Sequence, residues 1–262
     1  MKRINGEILG AIYDVDDTLL DNQPGDDPVS NLHQQSRLAA IHAVGAIHDI
    51  PELLAVTPKD NFGAFARSPV HTVSGALWVI LQDKKLRGDN FDPHDPLIEE
   101  MLAIKNKAYA EMLVQHGRPH SGAIEFVRDL ASHYSLGTTN AIASTATGDD
   151  IRTFLRMTQL TDLIPDDHII AVENVEHPKP NPEAFDKAFR SLGLPESARS
   201  RVPAFEDDPR GMLSARKAGL IVCAITTRYS REFLEQVDAK PDFIADSFAE
   251  YRDVFHLPPL PQ

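Results

Sequence analysis

Short apolar runs that stop abruptly at polar residues recur along the chain. The first run extends from Ile8 to Tyr13 and ends at Asp14. Runs of this kind are typical of buried strands whose carboxyl ends carry polar side chains. Three later runs repeat the pattern: Tyr134 to Thr138 before Thr139 and Asn140, Val202 to Phe205 before Glu206, and Ile221 to Ile225 before Thr226. The pattern predicts a series of strands with polar residues gathered at their ends.

Helical patterns separate these runs. One apolar stripe with helical i, i+3, i+4, i+7 spacing consists of Phe185, Ala188, Phe189 and Leu192. Asn181 suits its N-cap, Pro182 its first turn and Gly193 its exit, and Asp208-Pro209 with Gly219 bounds a second helix in the same way. Strands alternating with helices predict an α/β fold with a Rossmann-like parallel sheet, in which ligands bind beyond the carboxyl ends of the strands.

Residues 21–118 interrupt the alternation and read as several helices without a convincing strand series. We therefore predict two domains: an α/β core of residues 1–20 plus 119–262, and an inserted α-helical domain of residues 21–118. Turn-forming segments at Pro24 to Pro28 and at Arg118 to Gly122 provide the predicted borders.

Composition narrows the functional classes. The 262 residues include 39 acidic and 26 basic side chains, a formal net charge of −13. This balance argues against a nucleic-acid or anionic-membrane partner and favours a small substrate. Cys223 is the only cysteine, so no internal disulfide can form, and its apolar neighbours predict a buried strand thiol. Since no apolar stretch is long enough to span a bilayer, we expect a cytoplasmic protein, as a monomer or small homo-oligomer.

Acidic residues stand at two of the predicted strand ends. Asp14 and Asp16 follow the first run, and Glu206 and Asp207 follow the third. Carboxylates that converge there could hold a hard divalent cation such as Mg²⁺. Each motif alone has an ordinary structural explanation, an acidic turn in the first case and a solvated helix start in the second.

Phosphoryl transfer also requires donors for the phosphoryl oxygens. Thr139, with Asn140 beside it, and Lys179 are the candidates for this role. A capping threonine and a surface lysine are the ordinary alternatives for each residue taken singly. The order along the chain, an aspartate pair, a threonine, a lysine before a helix and an acidic pair, is much harder to obtain by chance.

This order of motifs resembles that of the haloacid dehalogenase superfamily. Asp14 and Asp16 match its first motif, Thr139 its second, Lys179 its third, and Glu206-Asp207 its fourth. The resemblance covers nearly the whole chain, and the helical insertion stands where the family has its C1-type cap domain.

The resemblance implies a role for each matched residue. Asp14 would be the nucleophile that is transiently phosphorylated and a Mg²⁺ ligand. Asp16 would be the general acid and base and a ligand through its backbone carbonyl, and Asp207, with Glu206 directly or through water, would complete the metal site. An aspartate at position 16 also argues against dehalogenation. Three features depart from the pattern: Asp17 replaces a usual glycine, Asp208 a common serine or threonine, and the spacing from Thr139 to Lys179 is several residues longer.

Substrate-binding residues in the cap are implied by a likeness to beta-phosphoglucomutase-like members. Lys105 lies within an apolar helical stripe, where its stem could equally reach out to water. In the relatives a lysine of this helix reaches the substrate phosphate. His33 and Arg67 resemble two further cap residues, although Arg67 is one residue out of register.

Three functions fit these residues. The preferred one is a Mg²⁺-dependent phosphatase that hydrolyses a small phosphorylated metabolite, such as a sugar phosphate, through an aspartyl phosphate. The alternative is a beta-phosphoglucomutase-like phosphohexomutase. A non-catalytic phosphorylatable switch would also use a strand-end aspartate, a threonine and a lysine, but it predicts neither a cap nor Asp16.

Overall fold

The computed structural model describes residues 4, 6–23, 30–68, 70 and 72–258. The chain divides into two compact units, one formed by Met1–Asp21 with Arg118–Gln262 and the other by Asn22–Gly117. These limits differ by one residue from the borders predicted at 20/21 and 118/119. The predicted turn segment Pro24 to Pro28 lies outside the described residues.

A parallel sheet forms the centre of the first unit. Its strands stand in the order β5-β4-β1-β6-β7-β8, and every neighbouring pair is parallel. The strands are β1 (Ala11–Tyr13), β4 (Asn140–Ala143), β5 (Ile169–Ile170), β6 (Pro203–Glu206), β7 (Ile221–Ile225) and β8 (Phe243–Ala245). A separate antiparallel pair consists of β2 (Leu20–Asp21) and β3 (Arg118–Pro119). The predicted α/β fold with a parallel sheet is confirmed.

Helices cover this sheet and bury its apolar side chains. They are α6 (Ala123–His133), α7 (Gly148–Met157), α8 (Glu183–Ser191), α9 (Pro209–Lys217), α10 (Arg231–Leu234) and α11 (Phe248–Val254). One core cluster joins Ile12 of β1 and Val222 of β7 to Phe185 and Phe189 of α8. Cys223 is buried in β7, as predicted.

The boundaries of α8 and α9 follow from local chemistry. Asp208 accepts a hydrogen bond from the backbone N–H of Arg210 at 2.9 Å and caps α9, whose first residue is Pro209. In α8, Asn181 accepts from the N–H of Glu183 at 3.0 Å, the bond expected of an N-cap, although the helix itself begins at Glu183, one residue later than predicted. Gly193 leaves α8 with a positive φ of 67°.

The described residues of the second unit form the helices α1 (Leu32–Ile47), α2 (Pro51–Leu54), α3 (Pro58–Arg67), α4 (Val73–Asp83) and α5 (Pro96–His116). Its core brings together Ile41 and Val44 of α1, Leu77 and Trp78 of α4, and Met101 of α5. The apolar residues of α1, α4 and α5 therefore form the core of this unit, as the apolar strand residues do in the other unit. Across the described part of the chain, no helix combines the length and apolar character needed to cross a membrane.

One predicted strand is wrong. Residues Tyr134 to Thr138 do not form a strand, because they close α6 and turn the chain toward β4. Ser135 and Gly137 have positive φ values of 53° and 55°, which a strand does not accept. Leu136 is apolar because it packs beneath the turn, where it is 5% exposed. The strand lies later, at Asn140–Ala143.

Candidate active site

Three carboxylates converge at the carboxyl edge of the central strands. Asp14 directly follows β1, and Glu206 and Asp207 stand at the end of β6. Tyr13 is in register with Phe205, so the residues that follow both strands emerge side by side. Oxygens of Asp14, Glu206 and Asp207 all lie within 4.8 Å of one another. Sheet register thus unites two acidic motifs that are far apart in sequence.

Lys179 is the cation at the centre of this cluster. Its Nζ donates to Asp14 Oδ1 at 2.7 Å, to Glu206 Oε1 at 2.6 Å and to the Ala143 carbonyl at 2.9 Å. The side chain is buried, and Nζ also lies 4.9 Å from the ring centroid of Phe185. Although burial by itself lowers the pKa of Lys179, the adjacent Asp14 and Glu206 carboxylates outweigh it and raise the pKa. Lys179 is therefore a fixed positive charge.

The pKa of the Asp14 carboxyl is raised to about 7. Burial is the largest cause, since a carboxylate loses hydration in a dry site; Glu206 and Asp16 raise the pKa further. Lys179 opposes these effects by charge and by its hydrogen bond, but does not cancel them. A carboxyl with such a raised pKa in a strand-end site is a candidate for chemistry.

Asp207 has one satisfied and one unsatisfied oxygen. Its Oδ1 accepts a hydrogen bond from Thr18 Oγ1 at 3.0 Å. Its Oδ2 is buried and has no hydrogen-bond partner among the residues that the structure describes. Burial, with the nearby Glu206 and Asp14 charges, raises the pKa of Asp207 well above its ordinary value. A buried carboxylate oxygen without a hydrogen-bond partner is a candidate ligand for a cation.

Glu206, by contrast, is fully engaged. Its Oε2 accepts from the backbone N–H groups of Asp207 and Asp208, each at 2.9 Å, and its Oε1 accepts from Lys179. The carboxylate packs directly on Gly211, where a Cβ atom would lie 1.6 Å from Oε1. These contacts orient Lys179 and the following turn, and the predicted contribution of Glu206 to a metal site, directly or through water, stays a prediction.

Asp16 lies in the turn after β1. The N–H groups of Thr18 and Leu19 both bond to the carbonyl of Val15, and Asp16 forms a bridge with Leu20. Asp17 has a positive φ of 58°, which accounts for the glycine usual at this position. Asp16 is partly buried and raises the pKa of Asp14, so the two carboxyls lie within electrostatic reach of each other.

The predicted phosphate-binding pair Thr139 and Asn140 is misplaced. Both stand at the amino end of β4, where Asn140 is in register with Ala11, three residues before Asp14. Thr139 Oγ1 donates to the Leu136 carbonyl at 2.6 Å and Asn140 Nδ2 to the Gly137 carbonyl at 3.1 Å, so both serve the turn after α6. At roughly 3.3 Å per residue this end of the strand lies ~10 Å from the carboxylates. Their assignment to the phosphate site is wrong.

Ser144 stands where Thr139 was expected. It directly follows β4, one residue after the Ala143 carbonyl that Lys179 contacts. The side chain is 2% exposed, and its Oγ accepts from the N–H of Ala146 at 3.3 Å. It thus carries the hydroxyl at the same edge of the sheet as Asp14 and Lys179.

Comparison with known proteins identifies the family. The sequence profile of the haloacid dehalogenase-like hydrolases matches residues 81–225, more than half of the chain. The chain belongs to this family. The predicted superfamily and the prediction of a hydrolase are confirmed.

Individual relatives agree with this assignment. Pyrophosphatase PpaX of Halalkalibacterium halodurans is 29% identical over 171 residues, which cover 63% of this chain and 74% of PpaX. Glycerol-1-phosphate phosphohydrolase 1 of Saccharomyces cerevisiae is 31% identical over 74 residues, 27% of this chain and only 30% of that protein. The crystal structure of a family IA, variant 3 hydrolase from Entamoeba histolytica has the same fold, with a TM-score of 0.70 at 20% identity over 92% of this chain and 94% of that one.

The acidic cluster of this haloacid dehalogenase-like hydrolase has the chemistry of a metal site. Asp14, Glu206 and Asp207 could hold a metal ion, and the unsatisfied Oδ2 of Asp207 is the observation that favours one. Hard carboxylate oxygens without cysteine or histidine ligands suit Mg²⁺ rather than zinc. Asp16 was predicted to bind through its backbone carbonyl, and this contribution stays a prediction.

The three predicted cap residues lie in the helical unit in different settings. Lys105 of α5 is 6% exposed, with Nζ 4.8 Å from the Tyr109 ring centroid. His33 of α1 stacks on the same tyrosine with ring centroids 4.1 Å apart. Arg67 forms an exposed ion pair with Asp83 at 2.7 Å, so its positive charge already has a partner on the surface. Their roles in binding stay predictions.

Four residues at the candidate active site were not predicted from the sequence: Ser144, Thr18, Gly211 and Arg228. Thr18 stands two residues after Asp16 in the sequence, but its partner Asp207 is 189 positions away. Gly211 follows the acidic motif on the first turn of α9, where a helix former would be expected. Arg228 lies with its Nη1 3.6 Å from Asp207 Oδ2, and no sequence pattern indicates it, since only the fold brings it to the acidic cluster.

Proposed function

We propose that this chain is a Mg²⁺-dependent phosphatase that hydrolyses a small phosphorylated metabolite through an aspartyl phosphate. The observation that carries the proposal is the buried Asp14 carboxyl, fixed by Lys179 and adjoining Glu206 and Asp207 at the carboxyl edge of the sheet. In a family of hydrolases, such a carboxylate is suited to covalent catalysis. Relatives named as a pyrophosphatase and as a glycerol-1-phosphate phosphohydrolase are in accord with the proposal.

In the first step the Asp14 carboxylate attacks phosphorus, and the bond from phosphorus to the leaving oxygen breaks. Asp16 donates a proton to that oxygen, so the product leaves as an alcohol. Lys179 holds Asp14 in the attacking position and offsets the charge of the phosphoryl oxygens, to which the Ser144 hydroxyl donates a hydrogen bond. The attack requires Asp14 to be ionised, which burial and the neighbouring carboxylates oppose and Lys179 favours.

In the second step Asp16 accepts a proton from water as the water oxygen attacks phosphorus. The bond between Asp14 and phosphorus breaks, which releases inorganic phosphate and restores both carboxyls. Asp14 and Asp207 would hold the Mg²⁺ ion, with the Asp16 carbonyl, and Glu206 would orient Lys179. When bound, the ion supplies positive charge that offsets the negative charge developing on the phosphoryl group.

The decisive experiment is phosphate release from a panel of sugar phosphates, glycerol phosphate and pyrophosphate, before and after chelation. We expect release that requires Mg²⁺ and a loss of at least about a thousandfold in Asp14→Asn, because an amide is a far poorer nucleophile. Asp16→Asn should still form phosphoenzyme from aryl phosphates, whose leaving groups need no proton. Unchanged turnover in Asp14→Asn, or full activity after exhaustive chelation, would refute the proposal.

The phosphohexomutase alternative is separated by one further assay. The enzyme is incubated with beta-glucose 1-phosphate and a trace of glucose 1,6-bisphosphate. Glucose 6-phosphate without stoichiometric inorganic phosphate would indicate a mutase, whereas free phosphate indicates a phosphatase. We expect free phosphate, because Arg67, the proposed cap arginine of a mutase, is already paired with Asp83 on the surface.

A further inference from the structure

Arg228 is the only described arginine that faces Asp207, and it does so without a hydrogen bond. Its Nη1 lies 3.6 Å from Asp207 Oδ2, the oxygen that lacks a hydrogen-bond partner. The same nitrogen is 3.6 Å from Asp208 Oδ2, and Nε is 3.6 Å from Asp17 Oδ2. Arg228 therefore stands among three carboxylates drawn from the turn after β1 and the turn after β6.

The chain around Arg228 is tied to the same turns. Thr227 Oγ1 donates to the Asp17 carbonyl at 2.5 Å, which joins the loop after β7 to the turn that carries Asp16. The Arg228 guanidinium also lies 5.6 Å from the ring centroid of Tyr229. Backbone anchoring thus places the charge, while the guanidinium itself is held by charge and by the ring rather than by directed bonds.

Two departures from the family pattern are explained by this arrangement. Asp17 and Asp208, which replace a usual glycine and a common serine or threonine, are the two other carboxylates that Arg228 contacts. Each adds a negative charge beside a site that is already acidic, and Arg228 offsets them. Asp208 is paired more closely with Arg210, whose Nε and Nη2 donate to its Oδ1 and Oδ2 at 3.0 Å each, so Arg228 is a second, more distant partner of this carboxylate.

We propose that Arg228 is a built-in competitor of the catalytic Mg²⁺ ion, a positioning residue that neutralises Asp207 in the metal-free protein and weakens Mg²⁺ binding. The inference rests on the proposed function, since it presupposes a cation at Asp207. Any cation bound by Asp207 Oδ2 shares that oxygen with a fixed positive charge, so its affinity must be lower than that of the acidic residues alone.

The experiment titrates metal-free protein with Mg²⁺ alone in a calorimeter at constant ionic strength. In Arg228→Gln and Arg228→Met we expect Mg²⁺ to bind about tenfold more tightly, the effect of one charge some 6 Å from a divalent ion in water-like surroundings. Arg228→Lys, which keeps the charge, should bind nearly as wild type does. Arg231→Gln is the matched control, because Arg231 pairs with Asp246 and Glu250 instead.

Two neutral variants keep the test informative if one of them does not fold without metal. A Kd that is unchanged or weaker in the folded neutral variants would overturn the inference, as would equal tightening in Arg231→Gln. The two proposals fail in different ways. Wild-type protein that neither binds Mg²⁺ nor releases phosphate would refute the proposed function, whereas wild type that binds Mg²⁺ as tightly as Arg228→Gln would refute the role of Arg228 alone.

Discussion

Thr18 donates its hydroxyl hydrogen to Asp207 Oδ1 at 3.0 Å, although the two residues are 189 positions apart. Both are buried, so the bond fixes the orientation of the carboxylate whose other oxygen is unsatisfied. It also locks the turn after β1 against the end of β6. The turn that carries Asp14 and Asp16 thus positions Asp207 through the Thr18 hydroxyl and not through either of its two carboxylates.

Replacing Thr18 by valine should therefore weaken metal binding while leaving the nucleophile in place. We expect a rise of roughly 10- to 100-fold in the Mg²⁺ concentration needed for half-maximal phosphatase activity, as for other partners that orient metal ligands. Thr18→Ser should restore most of the loss. The matched control is Thr226→Val, whose hydroxyl bonds to the exposed Asp246 at 3.0 Å. A Mg²⁺ requirement equal to that of wild type in Thr18→Val would show that the bond does not orient Asp207.

The raised pKa of Asp14 predicts how the stability of the metal-free protein depends on pH. Because the folded-state pKa, about 7, lies above the unfolded value of 3.8, the protonated form favours folding. This contribution is fully present below pH 3.8 and is lost as the pH rises toward and through 7. The buried charge then costs up to about 4 kcal/mol in the free energy of unfolding.

Chemical denaturation in the presence of a chelator at pH 5 and pH 8 measures this dependence. Asp14→Asn should show a smaller fall in the free energy of unfolding over that range than wild type, since its amide does not ionise. Mg²⁺ should recover the stability of wild type at pH 8 more than that of the variant. Parallel pH profiles for the two proteins would mean that Asp14 titrates with an ordinary pKa.

Gly211 is predicted to be essential because of its close contact with Glu206. An added Cβ would lie 1.6 Å from Glu206 Oε1 and 2.1 Å from its Cδ, and the carboxylate cannot yield without losing the bonds to Lys179 and two backbone N–H groups. We expect Gly211→Ala to lower kcat by at least about tenfold through displaced Lys179. The control is Gly88→Ala, at a position with no atom within 4 Å of the new Cβ. Equal kcat values for the two variants would exclude the contact as a determinant of the site.

Lys105 tests the binding role that the resemblance implies for the helical unit. Lys105→Met keeps the apolar stem and its packing near Tyr109 but removes the charge. We expect KM for the preferred substrate to rise about tenfold, while hydrolysis of a small aryl phosphate stays nearly unchanged. Arg67→Met serves as the comparison, because Arg67 is exposed and paired with Asp83. Equal losses on both substrates would give Lys105 a structural role.

The parts of the fold that were predictable are those in which local pattern and tertiary environment agree. Strands β1, β6 and β7 each contain large apolar residues, such as Tyr13, Phe205 and Ile225, and a polar residue ends or follows each strand, so the sequence marks both the strand and its carboxyl end. Asp14, Glu206 and Asp207 could be placed for this reason. Lys179 was recognised by motif, but its three bonds depend on Ala143 and on the packing of β1 against β6, which no local pattern encodes.

Strand β4 shows where this reasoning fails. Its residues Asn140 to Ala143 form a short and only weakly apolar run, while the turn before it contains Tyr134, whose hydroxyl donates to the Phe255 carbonyl at 3.1 Å, and the buried Leu136. Hydrophobicity thus pointed to the turn instead of the strand. The long spacing from Thr139 to Lys179 was the available warning, since counting from Ser144 shortens it by five residues.

The corrected position of the hydroxyl leads to a paired prediction on Ser144 and Thr139. Ser144 follows β4 at the edge where Asp14 and Lys179 meet, whereas Thr139 stands at the opposite end and bonds to the Leu136 carbonyl. Ser144→Ala should lower kcat/KM by about 10- to 100-fold, the loss expected for one donor to a phosphoryl oxygen in the transition state. Thr139→Val should lose stability, about 1 kcal/mol for one hydrogen bond, without a comparable loss of kcat/KM.

Steady-state kinetics on one substrate and denaturation curves for both variants separate the two effects, and Ser144→Thr, which keeps the hydroxyl, should retain more activity than Ser144→Ala. If Thr139→Val instead lost catalysis while Ser144→Ala kept it, the hydroxyl at the amino end of β4 would have to reach the phosphoryl group, and the strand register on which the site is built would be wrong.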